Sequence, residues 1–138
     1  MATVTAELTA GFNVNISNGR HEWSADEPES LGGTDTGLNP YEFLLGALAS
    51  CASITVAMYA RRKKMAFDSI SVRYHYDRVH SEDCAECEDD AAGFIDRVTG
   101  EIFIEESDRE RLALVARRCP VHKTLANGIH FEEEVTVG

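Results

Sequence analysis

The polar and apolar positions from Ser69 to Val79 alternate with period two. Ile70, Val72, Tyr74 and Tyr76 fall on one side and Ser71, Arg73, His75 and Asp77 on the other, the pattern of a half-buried strand. The same rhythm over Thr3–Thr9 and Phe12–Ile16, with Gly11 between, predicts two opening strands. Asn18-Gly19 is a turn signal, and Arg20–Ser24 predicts a third strand behind it. Arg97–Glu105 predicts another strand, with Ile102 and Ile104 inward and a bend at Gly100, and Ile129–Val137 a closing one.

Two stretches follow a helical period instead. Asn39 is a helix cap, Pro40 a first helical residue and Glu42 a first-turn acid. The helix runs to about Lys64, where Arg61, Arg62, Lys63 and Lys64 complement the negative end of its dipole. Phe43–Ala60 holds 18 residues without a charge, near the lower limit for a bilayer span. Five of them are Ala, with Gly46, Ser50, Ser53 and Thr55 among the rest, which fits a buried central helix with neighbours on every side. Small residues at Gly46/Ser50 and Ala49/Ser53 would let a second helix come close. That second helix is announced by Ser107-Asp108-Arg109-Glu110, a capping box. It places Leu112, Val115, Ala116 and Cys119 on one face, breaks near Arg118 because Pro120 lacks a backbone donor, and resumes to Asn127-Gly128. Asp26–Leu38, rich in glycine, and the acidic stretch Ser81–Asp90 predict loops. Strands and helices in this order give an α+β class, and residues 1–138 form one domain by size.

Charge narrows the function. A net charge of −11 argues against nucleic acid and against anionic membrane surfaces as partners. Residues Met1–Ala10 lack the basic and apolar regions of a secretory leader, so a reducing cytoplasm is expected. Four cysteines among 138 residues are too sparse for a disulfide scaffold, and point to redox or metal chemistry.

Cys51 sits in the middle of the uncharged helix, and taken alone it reads as a small core hydrophobe. Cys119 stands at a helix break before Pro120, beside Arg117 and Arg118, with His122 one turn on. Freed amides and nearby cations stabilise a thiolate at such a place, and His122 is a candidate base or a surface histidine.

Asn39-Pro40-Tyr41-Glu42-Phe43-Leu44-Leu45-Gly46-Ala47-Leu48-Ala49-Ser50-Cys51, followed by Cys119-Pro120-Val121-His122-Lys123-Thr124-Leu125, resembles the two signature segments of the OsmC/Ohr family. The likeness extends in order over nearly the whole chain, toward a less characterised OsmC-like branch. It implies an α+β fold of two long central helices packed against antiparallel sheets, in an intertwined homodimer with sites at the interface. It implies a peroxiredoxin-like thiol peroxidase that reduces organic hydroperoxides in the oxidative or osmotic stress response. Carried over, Cys51 is the peroxidatic thiol and Cys119 the resolving thiol; a lipoyl-type or thioredoxin-like dithiol restores them, and no cofactor is required. Glu42, Arg20 and His122 are the supporting candidates.

The sequence departs from the family pattern in two places. The family's glutamate ten residues before the first cysteine is Tyr41 here, and Glu42 lies nine before. Nine residues turn an ideal helix by about 180°, which would face Glu42 away from Cys51. Its simpler role is to complement the helix N-terminus. The family's activating arginine lies in the loop before Asn-Pro, and Asp26–Leu38 contains none. Arg20 is the nearest upstream candidate. These departures motivate an alternative, a non-catalytic OsmC-like protein that binds a small molecule or electrophile at Cys51.

His80-x3-Cys84-x2-Cys87 forms a second constellation. Two sulfurs two residues apart are half of a common zinc site, with His80 a third ligand, so a zinc-stabilised dimer is a further reading. An acidic surface loop carrying two thiols, or a relay pair serving Cys51 and Cys119, fits the same residues. Trp23, Phe43 and Phe67 read as core, and Met58 and Tyr59 as lining for an apolar pocket.

Overall fold

The computed structural model describes residues 1–80, 94–104 and 109–137, with side chains for all of these but 79, 80, 94 and 95. The chain forms two compact units, Met1–Gly46 and Ala47–Gly138.

The first unit is built on three antiparallel strands in the order β1 (Thr5–Leu8), β2 (Val14–Ser17), β3 (Glu22–Ala25). Gly11, at φ +58°, and Gly19, at φ +88°, take left-handed conformations in the two connections. In the second, the Asn18 side-chain oxygen accepts from the Arg20 and His21 amides at 3.0 and 2.8 Å, the local bonding that makes Asn-Gly a turn.

The segment after β3 is organised around one carboxylate. Asp26 is only 2% exposed. It accepts from the Glu27, Thr34 and Thr36 amides and from the Thr34 and Thr36 hydroxyls. These bonds, led by the two hydroxyls, hold its carboxyl well below the usual range against the opposing effect of burial. Two glycines of this segment let backbone pass close to backbone. A Cβ on Gly33 would fall 1.9 Å from the Glu27 carbonyl oxygen, and one on Gly37 2.5 Å from that of Ser24.

α1 (Pro40–Lys63) opens on a reciprocal cap. The Glu42 amide donates to the Asn39 side-chain oxygen and the Asn39 amide to the Glu42 carboxylate, both at 2.9 Å. The helix ends where Lys64 turns left-handed, at φ +53°.

In the second unit, α1 buries one stripe, Leu48, Ala52, Val56 and Ala60, spaced by one turn. The expectation of neighbours on every side fails within this chain, since Ile54 is 54% and Met58 67% exposed. The stripe is nonetheless packed into the core, although the helix is long and apolar enough to cross a membrane. β4 (Ile70–His80) and β5 (Phe94–Ile104) form an antiparallel ribbon. Ile70, Val72 and Tyr74 pack toward the core as the alternation predicts. β5 keeps its pairing with β4 through Gly100. The glycine pairs with Tyr74, and a Cβ there would lie 2.4 Å from the tyrosine ring. The position is bare because a ring occupies the space.

α2 (Arg109–Ala116) and α3 (Pro120–Asn127) flank the expected break. α1 is therefore the one long helix among the described residues, and the expected second is two short ones. Leu112, Val115, Ala116 and Cys119 are all buried, as their spacing requires. Ser107 and Asp108 of the expected capping box lie outside the described residues. No strand forms over Ile129–Val137. The alternation is present, but within this chain the segment has no ladder, and Phe131, Val135 and Val137 are exposed.

Candidate functional site

The two cysteines meet in the second unit. Cys51 is half-buried on α1 and packs against the cluster of Leu48, Ala52, Val56 and Leu112 that also contains Cys119. Cys119 is fully buried. Its backbone is extended, at φ −63° and ψ 144°, and it caps α3. Pro120 follows at the first helical position, where a missing N–H leaves nothing unpaired. The Cys119 sulfur takes the place of the usual cap oxygen and accepts from the His122 amide at 3.3 Å.

Burial pushes the Cys119 thiol up, the His122 amide pulls it down, and the neighbouring Cys51 thiol, a hydrogen-bond and charge partner, pushes it up again. The net direction is upward, so Cys119 holds its proton. Tyr74 belongs to the same group of charges. Burial raises its phenol, Cys119 and Cys51 add to the rise, and Arg117 opposes it.

Tyr74 and Arg117 also line a cavity of about 440 Å³, whose wall includes neither cysteine. Its walls are apolar, from Leu48, Ile102 and Leu125 among others, and its polar groups are Tyr74, Arg117 and His122. An apolar cleft with a few convergent polar groups suits a small organic molecule. Tyr59 and Met58 do not line it. Tyr59 instead packs against the core under two guanidinium groups, Arg62 at 5.6 Å and Arg111 at 5.4 Å from the ring centre.

Cys51, Cys119 and His122 thus gather in one unit, the histidine through its amide to Cys119 and as part of the cavity wall. Arg20 and Glu42 belong to the other unit. Glu42 is engaged by the Asn39 amide, and the Arg20 amide in the Asn18 turn. Cys84, Cys87 and the His80 side chain lie outside the described residues, and no metal-holding group of His, Cys, Asp and Glu occurs among the described ones. Tyr74 was legible only as an inward strand residue. The signal that would have found it is its cross-strand pairing with Gly100, which appears only once the register is known.

A family model described as OsmC-like protein matches residues 33–134. No curated protein matches the sequence. Among solved structures, an OsmC-like protein from Mycoplasma pneumoniae is similar at TM-score 0.65 and 22% identity, over 91% of this chain and 87% of that one. An organic hydroperoxide resistance protein OsmC from Legionella pneumophila is similar at TM-score 0.63 and 18% identity, over 89% and 87%. The organic hydroperoxide resistance protein OhrB of Bacillus subtilis is similar at TM-score 0.59 and 22% identity, over 89% and 88%. At these identities the likeness establishes a shared fold.

Proposed function

The chain belongs to the OsmC-like protein family, and from that premise we propose that it is a thiol peroxidase that reduces organic hydroperoxides in a stress response. The observation that carries this reading is the pairing of a half-exposed Cys51 with a buried, proton-holding Cys119 at one site. The asymmetry matches two roles. The accessible sulfur meets the peroxide as a thiolate, forms the S–O bond, becomes a sulfenic acid and releases an alcohol. The buried thiol then displaces the sulfenic oxygen as water and forms the Cys51–Cys119 disulfide. An external dithiol of lipoyl or thioredoxin type returns both sulfurs to thiols. The organic character of the substrate is supported by the apolar cavity walls.

The site is proposed to work in a reducing cytoplasm and in a homodimer. The second copy is supported by two exposed apolar features, the outer face of α1 at Ile54 and Met58 and the strand-patterned segment of Phe131, Val135 and Val137. A zinc ion at His80, Cys84 and Cys87 is a separate proposal, decided by metal analysis of protein expressed with zinc supplied.

Reduced protein treated with cumene hydroperoxide should lose about 2 Da as the internal disulfide forms. Cys51→Ser should abolish turnover, and Cys119→Ser should stop at a trapped sulfenic acid. An unchanged mass together with undiminished turnover in Cys51→Ser removes the reading. The absence of arginine from Asp26–Leu38 favours one second reading, an OsmC-like protein that binds an electrophile without turnover. A slow adduct on Cys51 with no peroxide consumption would select it.

A further inference from the structure

Tyr74 and Tyr76 point from the same face of β4, yet their hydroxyls are used differently. Tyr76 donates to the Asp96 carboxylate at 2.7 Å. Tyr74 makes no such bond among the described residues. Its ring lies over Gly100, the only residue type that leaves room for it at that cross-strand position. It lines the cavity together with Arg117, and it is a charge neighbour of both Cys119 and Cys51. The phenol thus shares an organic-sized cavity with a guanidinium and, like Cys51, packs against the core cluster that contains Cys119.

We propose that Tyr74 is the proton donor to the leaving oxygen when a peroxide is reduced at Cys51, and that Arg117 is the cation that positions it. The inference rests on the peroxidase reading above. Attack by the Cys51 thiolate on a hydroperoxide ROOH forms Cys51–SOH and breaks the O–O bond, whose electron pair leaves on RO⁻. That alkoxide is far more basic than a phenolate, so it takes the Tyr74 proton and departs as ROH, and water reprotonates Tyr74. A phenol whose ionisation is disfavoured by its surroundings is present in its protonated, donating form throughout the neutral range. The loop before Asn39 contains no arginine, and this arrangement supplies an acid and a cation from the opposite side of the sequence.

The test uses two oxidants that differ in their need for a proton. Reduced protein is mixed with tert-butyl hydroperoxide, whose leaving alkoxide is strongly basic, or with peracetic acid, whose leaving acetate needs no proton. The rate of Cys51 oxidation is followed in single turnover. Tyr74→Phe should slow the first reaction by about 10²-fold and the second by less than about twofold. Arg117→Met should show a smaller selective loss, and Arg117→Lys should restore it. Equal slowing with both oxidants, or no slowing with either, overturns the assignment, because a packing role would not distinguish leaving groups. Failure of the unsubstituted protein to react with either oxidant is a different result, and overturns the peroxidase reading itself.

Discussion

Asp26 and Cys119 are both removed from solvent, at 2% and 0% exposure, yet their acidities move in opposite directions. The carboxylate is surrounded by donors, three amides and two hydroxyls, and its charged form wins. The sulfur has only backbone amide donors, His122 and more weakly Val121, inside an apolar cluster, and its neutral form wins. Burial opposes charge in both places, and the supply of donors decides the outcome. The first arrangement fixes a loop. The second keeps a thiol protonated beside another thiol.

The comparison can be broken most forcefully on its apolar side. Leu112 is fully buried in the cluster around Cys119. Leu112→Ala should destabilise the protein by about 2–5 kcal/mol in urea unfolding. The loosened packing should also expose the Cys119 thiol and move it back toward its ordinary value, read from its alkylation rate against pH. A smaller effect is expected at the polar side. Asp26→Ala strands five donors and should lower the thermal midpoint. The sign of its pH dependence follows from the lowered carboxyl. Its stabilisation is fully present above the ordinary carboxylate range and fades as pH falls through the folded-state value. Asp26→Asn should therefore lose less stability on acidification than the unsubstituted protein. Thr36→Val, which removes one of the two hydroxyls, should raise the Asp26 carboxyl only part of the way back, as read by carbon NMR titration. The smallest change is expected where solvent replaces both environments. Arg73 and Glu101 pair at 3.7 Å with side chains 77% and 62% exposed, so Glu101→Gln should leave the unfolding midpoint within error.

Elements held by local chemistry were legible in the sequence. Asn18-Gly19, the Asn39–Pro40–Glu42 cap, the alternation from Ile70 and the break at Pro120 each specify backbone through residues a few positions apart. The family likewise followed from two short motifs. What escaped depends on partners distant in sequence. Asp26 gathers hydroxyls eight and ten residues away, and Tyr74 owes its setting to a glycine on the next strand. Ile129–Val137 failed for the opposite reason. Its pattern is that of a strand, but a pattern cannot supply the hydrogen-bonding edge that turns it into one. At the candidate site, sequence order identified the two sulfurs, while their unequal access to solvent emerged only from packing.

Gly33 and Gly37 have a consequence for how the N-terminal loop can vary. At each, even a methyl group would collide with a backbone carbonyl, that of Glu27 or of Ser24. The loop cannot be loosened by degrees at these two points. The smallest substitution there must open it, whereas neighbouring polar positions can change while the turn survives. A mutational scan of the segment should therefore show its sharpest intolerance at the two residues that contribute no side chain at all.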